Sequence, residues 1–282
     1  MARNAPSLDV ELGTKSSTAG DEHLPKASAA TRIAKKLGLT DARALLIRRE
    51  LERALPGTAI DKTTVKRLAV FPKLGVVYNR IQKNANTTTM LLLDSLEVGK
   101  VRSIPESKGQ HLLFYRAWLT GRFSLAQARY MVVVRSPYSR ALSSFLFKFE
   151  FFGDVAMRRY GQTFNISPAG FEDFLRWLRD GALGRDLHWD LQLNSLALPV
   201  GVFTDIIHME RYEADMRQFL AQVPHVSDQA AARLDFAALR KIGSPHATRA
   251  QDKRGDYFTP AARALVSEIF ARDFEAFGYA PD

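Results

Sequence analysis

The chain has 282 residues, 46% of them hydrophobic, with no cysteine and a formal net charge of +10. Disulfides, thiolate metal sites and cysteine nucleophiles are therefore excluded. The charge favours an anionic partner without choosing among nucleic acid, anionic lipid, acidic polysaccharide and phosphorylated nucleotide. Residues 1–26 are rich in Ser, Thr, Ala, Gly and charge, so they read as a flexible tail. They hold no apolar signal core, and no apolar run nears the roughly 18–20 residues that span a bilayer. A cytoplasmic protein without stable membrane insertion is the expectation. From Ser28 to Leu55, Ile33, Leu37, Leu39, Leu45, Leu46, Leu51 and Leu55 recur among basic residues at roughly helical spacing. Gly38 and Thr40-Asp41 interrupt the pattern and Pro56-Gly57 ends it, which predicts two helices within an N-terminal extension over 27–69.

LGVVYNRI (Leu74 to Ile81) reads as a buried strand, QKNANTTT as a polar loop and MLLLDSLE as a helix. YMVVVR (Tyr130 to Arg135) is the strongest strand signal, and Ser136-Pro137 then opens a helix through ALSSFLFKFEFF. FEDFLRWLRD is helical in pattern. DIIHME (Asp205 to Glu210) predicts a third strand, followed by a helix over Tyr212–Gln222. The chain closes with a helix capped by Thr259-Pro260 and ended by Gly278. Strand, polar loop and helix in repetition predict an α/β domain over 70–282, with a central, mainly parallel sheet flanked by helices. In such folds ligands sit beyond the carboxyl ends of the strands, where both polar loops fall.

The first loop, IQKNANTTTM, carries what a phosphate needs. Unpaired amides start a helix, Lys83 adds a mobile charge, and Thr87, Thr88 and Thr89 add hydroxyls. Small Ala85 with Asn84 and Asn86 allows a tight turn, because Asn tolerates left-handed geometry. The loop lacks the glycines and Lys placement of G-x-x-x-x-G-K-[ST], which disfavours a conventional ATPase or GTPase. A plain polar connection with a Thr cap is equally compatible with this loop alone. In the second loop, Arg135 ends a strand and Ser143 lies eight positions on, where it can share a helix face with the first turn. The pair can grip one phosphate; a capped helix beside an exposed Arg is the simpler alternative.

Taken together, these loops resemble those of the PAPS-dependent sulfotransferases, particularly the Golgi-type carbohydrate enzymes and their bacterial relatives (PAPS is 3′-phosphoadenosine 5′-phosphosulfate). IQKNANTT matches the family's P-K-x-x-x-T-[ST] motif at Lys83, Thr87 and Thr88. RSPYSRALS matches R-[DN]-P-[FYW]-x-R-x-x-S at Arg135, Pro137, Tyr138, Arg140 and Ser143. FEDFLRWL, DLHWDLQ, IIHMERYEADM and RDFEAFGY resemble later segments of the family in order. The sequence departs from the family at Gln82, in place of Pro, at Ser136, in place of Asp or Asn, and in having no loop glycine.

The resemblance implies a P-loop-NTPase-like sulfotransferase fold, PAPS as co-substrate with PAP (adenosine 3′,5′-bisphosphate) as product, no metal, and transfer to an acceptor hydroxyl of a carbohydrate or glycolipid by in-line displacement. It places the donor's 5′-phosphosulfate on Lys83, Asn84, Ala85, Asn86, Thr87 and Thr88, and its 3′-phosphate on Arg135 and Ser143. Lys83 would stabilise the leaving oxygen. Lys253 and Arg254, in a basic loop before the last helix, are candidate contacts to the 3′-phosphate. His111 is the candidate general base, with Glu106 and His188 as rivals. His188 and Trp189 are candidates to line the acceptor groove, or packing residues near a helix start. Two other classes stay open: a P-loop-type small-molecule kinase and a non-catalytic polyanion binder. No nucleic-acid-binding pattern supports the latter.

Overall fold

The computed structural model describes residues 39–100, 123–224, 226–227, 231, 234–243, 248, 250 and 252–281. Helix α1 (Leu39–Ala54) is the second of the two helices expected in the extension; the first, and the tail over 1–26, lie outside the described residues. Four strands form one sheet in sequence order: β1 (Leu68–Phe71), β2 (Val76–Asn79), β3 (Arg129–Val134) and β4 (Asp205–His208). β1 pairs antiparallel with β2, while β2–β3 and β3–β4 are parallel. The mainly parallel sheet is as the sequence predicts. β1 is an addition: it straddles the boundary expected at residue 70 and joins the end of the supposed helical extension to the sheet.

The alternation of side chains along a strand divides the core. Met131 and Val133 face one side with Val76, Tyr78 and Ile207. There they meet helix α2 (Asn86–Val98) through Leu91, and α6 (Tyr212–Leu220) through Met216 and Phe219. Val132 and Val134 face the other side with Val77, Leu51 of α1 and Phe277. A third, aromatic cluster lies among α3 (Pro137–Phe145), α5 (Pro168–Trp177) and α9 (Pro260–Ile269). It contains Phe145, Phe171, Phe174 and Trp189.

Between α3 and α5 stands α4 (Gly153–Tyr160). The chain ends in α7 (Phe236–Gly243), α8 (Arg254–Tyr257), α9 and α10 (Ala271–Phe277). The single closing helix expected from the sequence is two, broken at Phe270. α3 does not stop cleanly either: it widens into a π-helical turn over Leu146–Glu150. Such a turn redirects side chains relative to ordinary helical spacing and is frequent at functional sites.

Candidate functional site

Because β2, β3 and β4 are parallel, the segments leaving them emerge along one edge of the sheet. The segment after β2 turns sharply into α2. Lys83 (φ 66°) and Ala85 (φ 51°) are its left-handed residues, a conformation that is costly with a Cβ and persists only where the surroundings enforce it. The sequence placed the Asn residues in that role. Asn84 instead sits fully buried and works as a tether, its Nδ2 donating to Val133 O at 2.9 Å and to Gln192 Oε1 at 2.6 Å. Left-handed residues on both sides of this tether curl the backbone in the manner of a nest, a geometry able to receive an anion. The first α2 turn adds amides with no acceptor inside the helix. Among the described residues, the buried Oδ1 atoms of Asn84 and Asn86 have no hydrogen-bond partner.

Thr87 is half-buried and Thr88 buried at this helix start. Thr89 is not a ligand donor: its hydroxyl bonds to Ala85 O and to the Tyr212 hydroxyl, each at 3.0 Å.

The second loop lies against the first. Arg135 Nη1 donates to Lys83 O at 3.1 Å. Gln192 bolts the two together, since its Oε1 accepts from both Asn84 and the Arg135 backbone N–H (2.9 Å) while its Nε2 donates to Arg135 O (2.9 Å). The bolt is itself held: Asp273 accepts from the backbone N–H groups of Gln192 (2.8 Å) and Leu193 (3.1 Å). Glu210 accepts from Ser136 N and from the Tyr279 hydroxyl, both at 2.9 Å. Ser136 does stand at the N-cap of α3, but its hydroxyl makes no capping bond; the Glu210 contact fixes that corner instead.

Buried Arg140 is a strut, its Nη2 donating to Leu187 O at 3.0 Å and its Nη1 to Asp190 O at 2.5 Å. The separate downstream segments thus converge on the back of one loop pair.

The front of the pair carries an excess of cations. Burial, then the charges of Arg135, Lys148 and Arg140, lower the Lys83 pKa to about 7. Among the described residues its ammonium has no carboxylate partner; it lies 3.8 Å from the centre of the Phe147 ring, a cation–π contact. Burial likewise lowers the Arg135 pKa to about 10, against the pull of Glu210. Ser143 is buried on α3, and its hydroxyl lies 3.3 Å from that of Thr248. The C-terminal basic loop therefore reaches the site through Thr248, which the sequence reading had not singled out. Lys253 pairs with Glu150 at 3.3 Å, and Arg254 lies over the Tyr138 and Phe258 rings.

Of the candidate bases, His111 and Glu106 lie outside the described residues. His188 is half-buried and stacks on Phe147, with ring centres 5.4 Å apart, so one ring supports both it and Lys83. Trp189 is corrected to a packing residue. It is 0% exposed, donates from Nε1 to Ala182 O at 3.0 Å and packs on Tyr160 and Phe174, leaving no face for an acceptor. Lys148 and Asp186 were missed. Lys148 stands on the π-helical turn, which helical periodicity does not reveal, and bridges to Asp186 at 3.0 Å. Among the described residues no group of three or more His, Asp or Glu could hold a metal ion.

A paired set of backbone and cationic anion grips at parallel strand ends, with a half-open histidine beside it, suits transfer of an anionic group. No curated protein and no solved structure matches the chain. The model of the sulfotransferase family matches residues 66–280, from just before β1 through Ala280, and so takes in both loops and the residues that lock them. The chain belongs to the sulfotransferase family.

Proposed function

We infer that the chain moves a sulfuryl group from PAPS to a hydroxyl of a carbohydrate or glycolipid. The observation that carries this reading is the cation cluster of Lys83, Arg135, Arg140 and Lys148 around a nest-like loop, in which, among the described residues, only Lys148 has a carboxylate bridge. A donor with phosphate groups at both ends would neutralise it. The Asn84–Thr88 backbone and hydroxyls would hold the 5′-phosphosulfate, and Arg135 and Ser143 the 3′-phosphate. The Thr87 side chain is half-buried, and the Lys83 head, seated over the Phe147 ring, has no carboxylate partner among the described residues to give up for such a ligand.

In the transfer, the acceptor oxygen forms a bond to sulfur as the bond from sulfur to the bridging phosphate oxygen breaks. The electron pair stays on that oxygen, and PAP leaves. Lys83, protonated once an anion lies beside it, faces the oxygen where negative charge grows. The glycan acceptor is supported by the resemblance of both loops to carbohydrate enzymes and by the net charge of +10.

Melting the protein with PAP and with ADP tests the donor. PAP is expected to raise the melting temperature and ADP to leave it nearly unchanged; equal shifts, or none with PAP, would reject the reading. The shift also carries a pH signature. In the free protein Lys83 is charged below about pH 7 and neutral above it, whereas bound phosphate returns its pKa toward the ordinary lysine range. Binding above pH 7 must therefore take up a proton, so PAP affinity should fall between pH 7 and 9 by up to about tenfold per unit. Titration calorimetry in buffers of different ionisation enthalpy at pH 8 reads that uptake directly, and affinity flat across this range contradicts it.

A further inference from the structure

Asp186 is bonded on both oxygens. Its Oδ1 accepts from the His188 backbone N–H at 2.9 Å and lies 2.5 Å from His188 Nδ1. Its Oδ2 accepts from Lys148 Nζ at 3.0 Å and from the Tyr160 hydroxyl. Burial works to raise the Asp186 pKa, but His188 and the Tyr160 hydroxyl together hold it far below the carboxylate range. An ionised Asp186 fixes the proton of a neutral His188 on Nδ1, which leaves the lone pair on Nε2. The ring is oriented on its other side by the Phe147 stack, and the same Phe147 ring carries the Lys83 ammonium. The side chain keeps 23% exposure, so an incoming molecule can reach it.

Resting on the sulfuryl-transfer reading above, we propose that His188 Nε2 is the general base that accepts the acceptor hydroxyl's proton, with Asp186 as its positioning residue. As the acceptor oxygen bonds to sulfur, its proton passes to Nε2 and the bridging oxygen departs beside Lys83. Tyr160 and Lys148 hold Asp186 in turn, through side chains that reach it from α4 and from the π-helical turn.

The charged groups facing the ring are Asp186 from its own loop, Lys148 from that turn and Lys83 from the first loop. Burial lowers the His188 pKa; Asp186 opposes this, and Lys148 and Lys83 add to it. The imidazole is thus neutral, as a base must be, at neutral pH. Two substitutions should move it in opposite directions. Lys148→Met removes a repelling cation and raises the His188 pKa, and Asp186→Asn removes the attracting carboxylate and lowers it.

The test combines transfer kinetics with histidine-detected NMR. Labelled sulfate is followed from PAPS to desulfated chondroitin, heparosan and an alkyl maltoside, and His188 is assigned by comparison with His188→Gln. His188→Gln is expected to lose about 10²- to 10⁴-fold in kcat, with its melting shift on PAP intact, which shows that it is folded and donor-competent. His188 should show the Nδ1–H tautomer at pH 7, and the acid limb of the rate profile should move up in Lys148→Met and down in Asp186→Asn. Turnover of His188→Gln within about threefold of the parent enzyme, or an Nε2–H tautomer, overturns the proposal. No PAP stabilisation of the parent protein would instead sink the donor reading beneath it, so the two failures are distinguishable.

Discussion

Replacing Lys83 by methionine is expected to cut turnover by about 10²- to 10³-fold while making the ligand-free protein more stable. The loss follows from removing a cation aimed at the oxygen on which charge develops. The gain follows from relieving an ammonium that feels the charges of Arg135, Lys148 and Arg140 and has no carboxylate partner among the described residues. Its sign with pH is fixed. The folded pKa of Lys83 is lowered from 10.5 to about 7, so the folded state resists protonation that the unfolded chain accepts. The penalty is absent above the unfolded pKa, grows as pH falls toward 7, and is complete below it. Urea denaturation should therefore find Lys83→Met more stable at pH 6 by on the order of 1–3 kcal/mol, and indistinguishable from the parent near pH 10.5. A variant equally active, or less stable at pH 6, contradicts this account of the site.

Gln192→Leu is expected to have the largest structural effect. The Gln192 side chain is fully buried and bonds to Asn84 Nδ2 and to both backbone polar groups of Arg135. Leucine fills similar space but leaves the Arg135 N–H and C=O without these partners in a dry interior. Each such group costs about 1–3 kcal/mol, so a loss of roughly 3 kcal/mol in unfolding free energy is expected. PAP affinity should drop at least about tenfold as well, because the two loops lose their common bolt. Chemical denaturation and PAP titration of the same variant check both. Full stability with full affinity would show that Gln192 does not couple the loops.

How much of this could be read in the sequence follows from the physics of each part. The strands β2, β3 and β4 were legible because short runs such as YMVVV are apolar on both faces, as a covered parallel sheet requires. The two loops were legible because Lys83, Thr87, Arg135 and Ser143 keep fixed spacing from strand ends. β1 was not, since its four residues lie between a basic segment and Pro72 with no periodicity to weigh. The left-handed residues were misplaced: side-chain preference favours Asn, but Asn84 is recruited by a tertiary bond to Gln192, which passes the turn to Lys83 and Ala85.

Lys148 was hidden by the π-helical turn, which shifts it off the spacing an α-helix would give. Trp189 misled for another reason, as its neighbour His188 does face the site while its own indole, one residue on, turns into the aromatic core. The downstream segments carried information that only coordinates decode. Gln192, Glu210, Asp273 and Tyr279 stand far apart in the chain and meet behind the two loops, where they fix the loops' geometry without facing a ligand.

The most direct measurement is calorimetric titration of PAP and of adenosine 5′-phosphate, which lacks the 3′-phosphate, into the parent protein and Arg135→Ala. If the Lys83 and Arg135 loops seize opposite ends of one nucleotide, PAP should bind the variant about 10- to 100-fold more weakly, and adenosine 5′-phosphate about as well as before. Equal losses for both ligands, or none for PAP, would show that Arg135 does not hold the second phosphate.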